Sequence, residues 1–245
     1  MSFGWKEAGA GLGAAALGAV VAVGAMGGFG HGGAGSPDPK ATGEIVRAYI
    51  LDHPELIPEA MDRLQDKQTA QAIAANRDQI EASFAGAQAG NPKGDVTLVE
   101  YFDYACGYCR QSVADVDRLI AADPKLRVVY KEMPVLDGAI SDRAAQVSLV
   151  AAKAGKFGAF HHALYAVPAP LDDTKTDAVA AKLGLDIAGL DHADIVNEIN
   201  ANLSTGRALR MSGTPTFVVG DQLLAGAVGY EALKAAIDKA RRAKS

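Results

Sequence analysis

The chain of 245 residues holds only two cysteines, Cys106 and Cys109, three positions apart. That spacing excludes most of what cysteines build. A disulfide framework needs more of them, spread along the chain. A structural zinc site usually takes four cysteine or histidine ligands, and none of the five histidines stands at a zinc-finger spacing from the pair. The local setting therefore decides what the pair is for. Before it runs Val96–Thr97–Leu98–Val99–Glu100–Tyr101–Phe102, apolar and β-branched in the manner of a buried strand. Asp103–Tyr104–Ala105 turns the chain. From Cys106 to Ala122, Val113, Val116, Leu119 and Ile120 recur at helical spacing, and Asp123–Pro124 closes the segment. Cys106 thus falls where a strand turns into a helix.

A second strand is expected at Leu126–Tyr130, giving a βαβ unit with parallel strands and a right-handed crossover. Residues 141–211 read as mostly helical, in four segments: Ser141–Ala154, Phe157–Ala166, Thr174–Leu183 and Asp191–Leu209. Thr216–Val219 reads as a strand, Gly220–Asp221 as a tight turn and Gln222–Leu224 as its hairpin partner. A last helix spans about Tyr230–Ala240. The order is βαβ, a helical insertion, then ββα. It is an α/β chain with the thioredoxin order and an inserted helical subdomain at about 138–211.

The N-terminal third differs. No charge occurs from Ala8 to Gly30, a run long enough to cross a bilayer or to serve as a signal peptide. The implied location is the periplasm or another extracytoplasmic space, with membrane anchoring by residues 1–30 as one alternative and cleavage as the other. Glycines and prolines make residues 31–42 a flexible linker. Residues 43–90 form a helical appendage. Val46, Tyr49, Ile50, Leu56, Ile57, Ala60, Met61 and Leu64 line one apolar stripe. The stripe can strap onto the main domain or meet its equivalent on other copies, making a homo-oligomer. Pro58 suggests a helix start or a kink. The main domain occupies 91–245.

With 49% hydrophobic residues and a net charge of −5, the chain suits a globular core and argues against nucleic-acid partners, which usually call for a basic patch. Lys239, Arg241, Arg242 and Lys244 read as a solvated helix end, where cations complement the helix dipole.

At a strand-to-helix turn, unpaired N–H groups and the helix dipole stabilise a thiolate at Cys106, and a thiolate attacks disulfides. Cys109 lies one turn on, nearly on the same face, and can close on Cys106. Gly107 and Tyr108 between them carry no charge, so the helix end must do most of the activation. This chemistry requires no metal and no cofactor. Glu100 is an acid within an apolar strand. Burial would raise its pKa and let it exchange a proton with Cys109. Glu132 is expected as a loop charge near the site. His161 and His162, adjacent on a helix, are expected to pack or face solvent. Tyr104 and Tyr108 flank the pair, as groove walls or as core cover.

Phe102–Asp103–Tyr104–Ala105–Cys106–Gly107–Tyr108–Cys109, preceded by Val99–Glu100, resembles the active-site strand and turn of the DsbA-like thiol–disulfide oxidoreductases. Gly155–Leu164 is similar to a helix of that family's inserted subdomain, and Gly213–Thr214–Pro215–Thr216–Phe217 to its cis-proline loop. The appendage, with Tyr49–Ile50–Leu51 and Pro54–Glu55, looks like the N-terminal region of ScsC- and Com1-type members, some of which oligomerise through it. The resemblance implies an enzyme acting on thiol- or disulfide-containing protein substrates and recharged by a membrane redox partner. It further implies a cis Pro215 beside the cysteines, a Thr214 backbone that binds substrate with Gly107 and Tyr108 nearby, and a buried acid at Glu100. Gly107–Tyr108 and Thr214 resemble DsbC-type isomerases, so isomerase or reductase capability is expected. The alternatives are a DsbA-type dithiol oxidase and a Cu(I)-handling module that uses the same two sulfurs.

Overall fold

The computed structural model describes residues 38–188, 190 and 192–244. The chain divides into two compact units, Met1–Ile57 and Pro58–Ser245. In the first, helix α1 covers Pro39–Asp52. It begins four residues before the expected start. The Asp38 side chain accepts the Lys40 N–H at 3.0 Å, and Pro39 takes the first helical position, where a missing N–H costs nothing. No residue of α1 is buried.

Helix α2 runs from Leu56 to Glu81 without a break. Pro58 sits in its first turn, where backbone N–H groups have no intrahelical partner, so no kink is needed. Only Ile73 and Ile80 of α2 are buried. Seven residues apart, they share one face and pack against Val99, Tyr101, Val129 and Val218 of the sheet. The second half of α2 therefore belongs to the core of the second unit, which begins at Pro58. Two isoleucines among Gln, Ala, Asn and Arg are too sparse a stripe to show this in sequence.

Five strands follow: β1 (Gln88–Gly90), β2 (Val96–Phe102), β3 (Leu126–Glu132), β4 (Thr216–Val219) and β5 (Gln222–Ala225). Their order is β1-β3-β2-β4-β5. β2 and β3 are parallel, joined through helix α3 (Gly107–Ala122), and the other neighbours are antiparallel. Strand β1 occupies the last three residues of the stretch expected to be a helical appendage. Its Gly90 has φ +72°, and a Cβ there would stand 2.5 Å from the Leu126 carbonyl oxygen, so no other residue fits. The insertion supplies α4 (Gly138–Lys153), α5 (Phe157–Ala166), α6 (Asp173–Lys182) and α7 (Ala193–Ala208), and α8 spans Tyr230–Ala243. This is the expected thioredoxin order with a helical insertion.

Alternation along the strands splits the core in two. Leu98, Phe102, Val128, Tyr130, Phe217 and Val219 join the core built with α3, α4, α5 and α8. Val99, Tyr101, Val129 and Val218 join the one covered by α2. Lys131, almost wholly buried, is paired at 2.9 Å with Glu198 of α7. That pair neutralises a charge the interior could not otherwise hold.

The topology also assembles one rim. Parallel β2 and β3 end together, with the Met133 N–H donating to the Phe102 carbonyl at 2.8 Å. Antiparallel β4 starts there, Thr216 facing Tyr101. Asp103–Cys106, Met133–Leu136 and Thr214–Pro215 thus leave or enter the sheet at the same end.

The expectation of a membrane anchor is corrected. Among the described residues no helix is long and apolar enough to cross a membrane. Residues 1–30, on which that expectation rested, lie outside the described residues, as does most of the 31–42 linker.

Candidate active site

Cys106 is the N-cap of α3. Its extended backbone (φ −81°, ψ 117°) lets the sulfur reach back over the first turn and accept the Cys109 N–H at 3.4 Å. Capping positions usually hold Ser, Thr, Asp or Asn, whose oxygen takes this bond. Here a sulfur takes it, and an ionised sulfur takes it best. The Cys109 thiol as a hydrogen-bond donor, then the Thr214 side chain, then the backbone N–H groups of Cys109 and Tyr108, bring the Cys106 pKa down from 9.0 to about 5, against an opposing push from burial. Cys109 is completely buried, and desolvation drives its thiol well above the usual range. The two sulfurs, unbridged here, thus differ sharply in acidity.

The Thr214–Pro215 bond is cis. The Thr214 carbonyl stands 3.2 Å from the Cys106 sulfur and accepts from it while the thiol is protonated. Ionisation removes that hydrogen and leaves the carbonyl without this donor. The buried Thr214 hydroxyl makes no hydrogen bond in the strict sense, yet it is close enough to favour the thiolate. Thr216 secures the loop from behind, its hydroxyl donating to the Gly213 carbonyl at 2.7 Å.

Two acids lie under the site. Glu100, in the middle of β2, is 2% exposed. Burial first, then the charges of Cys106 and Asp117, raise its pKa from 4.5 to about 8. It also acts electrostatically on Cys109. Glu132 corrects the sequence reading. It is no loop charge but the last residue of β3, 1% exposed. Burial pushes it far up. Ser148 approaches it, but that hydroxyl is engaged with Tyr104 at 3.0 Å, and both Glu132 oxygens lack a hydrogen-bond partner.

Of the two flanking tyrosines, Tyr108 is 64% exposed beside the sulfurs, while Tyr104 is core. Tyr104 bonds Ser148 and lies 3.3 Å from Nδ1 of buried His161, among the rings of Phe102, Phe160 and Tyr165. Burial lowers the His161 pKa to about 3, so it packs as a neutral ring. His162 faces outward and pairs with Asp117 at 3.0 Å. Among the described residues no group of three or more His, Cys, Asp and Glu is placed to hold a metal.

Sequence reasoning missed Asp103. Its buried side chain accepts four hydrogen bonds. Oδ1 takes the Ala105 N–H at 2.9 Å and the Ser141 hydroxyl at 2.8 Å; Oδ2 takes the Val135 N–H at 2.9 Å and the Leu136 N–H at 3.0 Å. A signal was available: an Asp at a strand end, two residues before a possible donor, is the pattern of an Asx-turn.

Comparison with known proteins agrees with this geometry. The sequence profile of the DSBA-like thioredoxin domain matches residues 97–238, more than half of the chain. That of the copper resistance protein ScsC N-terminal domain matches residues 40–71. A thioredoxin-like oxidoreductase from Silicibacter pomeroyi is 40% identical, covering 68% of this chain and 98% of its own, with a TM-score of 0.64. A linker-deletion variant of ScsC from Proteus mirabilis is 25% identical over 86% of this chain and 100% of its own, with a TM-score of 0.70. The thiol-disulfide exchange protein alpha-DsbA2 from Wolbachia pipientis is 28% identical over 72% and 97%, with a TM-score of 0.65. A Na(+)/H(+) antiporter NhaA from Herminiimonas arsenicoxydans is 30% identical over 62% of this chain, which spans only 25% of the antiporter's length. The chain belongs to the DSBA-like thioredoxin family, as a thiol–disulfide oxidoreductase of protein substrates.

Proposed function

We propose that Cys106 is the attacking sulfur, that Cys109 resolves, and that the enzyme reshuffles client disulfides. The observation that carries this is the acidity gap between the two sulfurs. Near neutrality Cys106 is a thiolate and Cys109 a thiol. The Cys106 thiolate bonds to one sulfur of a client disulfide; that disulfide breaks, and its other sulfur leaves as thiolate. If another thiol of the client, as thiolate, attacks the client sulfur of the mixed disulfide, a new disulfide forms within the client and Cys106 leaves as the thiolate; attack there by the freed thiolate only reverses the first step. If Cys109 loses its proton and attacks Cys106 instead, the Cys106–Cys109 bond forms and two electrons pass to the client. A thiol-bearing redox partner then restores the pair, and the sequence reading places that partner in a membrane. Run backwards, the same steps make an oxidase. Glu100, raised to about 8, is the group that holds the proton Cys109 gives up or takes back.

Gly107, Tyr108 and the Thr214–Pro215 backbone form the seat for the client chain. The Thr214 carbonyl, left by its sulfur donor when Cys106 ionises, can accept from a client N–H. The Cu(I) reading draws on the copper-resistance name of the domain matched by residues 40–71. It ranks second because a Cys109 thiol that resists ionisation is a poor soft-metal ligand. One equivalent of copper retained through purification would reverse that order.

The N-terminal region supports self-association. Helix α1 exposes Ile45, Val46, Tyr49 and Leu51, and the first turns of α2 expose Ile57, Met61 and Leu64. Apolar surface of this kind is expected to be covered by further copies of the chain. Sedimentation of the full chain is expected to show an oligomer that Val46→Glu with Met61→Glu dissociates; a monomeric wild type contradicts it.

The full chain, reduced, should restore activity to a test enzyme with scrambled disulfides. Cys106→Ala should abolish this, and Cys109→Ala should accumulate a mixed disulfide with the client. No recovery, with oxidation of a reduced peptide by the disulfide form, would make the enzyme an oxidase instead. Glu100→Gln gives an independent check through pH. Because the native pKa exceeds the unfolded one, the native state keeps a proton that the unfolded state releases. Stability is full below pH 4.5 and is lost as pH rises towards 8. The amide in the variant does not titrate, so unfolding titrations should show the variant gaining on the wild type between pH 5 and 8, by up to about 4 kcal/mol. Parallel curves would mean that Glu100 is not held neutral.

A further inference from the structure

Apart from Met61 and Leu64 of α2, the large apolar side chains that the second unit exposes among the described residues are Tyr108, Val135, Leu136 and Val228. They are far apart in sequence, yet backbone hydrogen bonds tie each to the reacting centre. Tyr108 lies between the two cysteines. Val228 donates its N–H to the Gly226 carbonyl at 2.9 Å, and the Gly226 N–H donates to the Pro215 carbonyl at 2.8 Å. Val135 and Leu136 donate their N–H groups to Oδ2 of Asp103, whose own carbonyl accepts the Cys106 N–H at 3.0 Å. Val135 is 48% exposed and Leu136 55%. Their backbone is pinned while their side chains stand in water.

Asp103 accordingly works on two sides. Oδ1 holds the redox turn through Ala105 and the start of α4 through Ser141; Oδ2 holds the Val135–Leu136 loop. The carboxylate is buried, so these bonds do not compete with bulk water. An amide cannot replace it. Asn offers one acceptor oxygen and one NH2, and the NH2 would face N–H donors on one side or the other.

We propose that Asp103 is a positioning residue that locks the Val135–Leu136 loop to the Cys106 turn, so that the loop reads an apolar side chain next to the client's reacting cysteine. This deepens the exchange reaction proposed above and rests on it. In the mixed disulfide the client cysteine is covalently held at Cys106, and its neighbours in sequence must lie on whatever rims that sulfur. An apolar neighbour gains by covering Val135 and Leu136; a polar one gains nothing. Correctly folded proteins bury such segments around their disulfides, whereas misfolded ones expose them. The loop therefore selects the clients that need reshuffling.

The probes are two synthetic peptides, each with one cysteine disulfide-bonded to glutathione, flanked by Leu in one and by Ser in the other. The readout is the ratio of their second-order rate constants with the reduced full chain. The wild type should prefer the Leu-flanked peptide by about tenfold, the usual return for partly burying one aliphatic side chain. Leu136→Ser, an exposed site whose change leaves the fold intact, should lower the ratio to a few-fold. Asp103→Asn should lower it similarly, and the double variant should fall no further than the singles, as coupled residues do. A merely structural Asp103 would slow both peptides alike and leave the ratio unmoved, which overturns the inference. Should Asp103→Asn not fold, Ser141→Ala removes one of the four bonds and must lower the ratio in smaller measure; an unchanged ratio there overturns it equally. Wild-type exchange with both peptides at equal rates overturns this inference alone. Exchange with neither removes the reaction on which it rests.

Discussion

A sulfur does the work of a helix cap in this protein, and the site is arranged around that substitution. An α-helix must give its first N–H groups to some acceptor. At the head of α3 the acceptor is Cys106, so the unmet N–H groups of the helix add to the Cys109 thiol and the Thr214 side chain in favouring the thiolate. The rest of the fold keeps the arrangement in place. β2 delivers the chain to the turn, α3 packs Cys109, Val116 and Leu119 into the core, and β4 enters beside β2 just after Pro215. Moving the start of α3 by one residue would put the sulfur on another face of the helix and take the Thr214 carbonyl out of reach.

Three acids stand at or near this rim, and their surroundings give them different jobs. Asp103 is satisfied by four donors and acts as an acceptor that holds loops together. Glu100 lies under the sulfurs in an apolar strand, where burial leaves it close to the balance point between acid and carboxylate near neutral pH. Glu132 is buried with neither oxygen bonded, so it persists as a neutral acid. All three are similarly acidic side chains in isolation. The donors around each decide whether it clamps, exchanges a proton or stays protonated.

The parts of this account that were legible in the sequence are those written locally. β2 shows as a β-branched run, α3 as a helical period, and the cysteine pair by its place between them; α5 falls at Phe157–Ala166, as its periodicity indicates. What was illegible depends on partners distant in sequence. β1 is three residues long and exists because β3 offers it an edge. α2 looks polar because only Ile73 and Ile80 of it are buried. Glu132 reads as a loop charge because acids are rare at the end of a buried strand, and nothing nearby announces the protonated form. Asp103 was overlooked because two of its four donors come from a loop more than thirty residues away.

The claim on which the rest stands is that the donors gathered at the head of α3, the Cys109 thiol first, make Cys106 a thiolate. The rate at which iodoacetamide alkylates Cys106 in the reduced full chain, followed from pH 3 to pH 10, measures this directly, with mass spectrometry to confirm the site. The rate should rise through a midpoint near pH 5 and be flat across neutrality, because the reactive form is complete there. A rate still climbing through pH 8 to 9, as for an ordinary thiol, would show that these donors do not ionise the sulfur and would contradict the account.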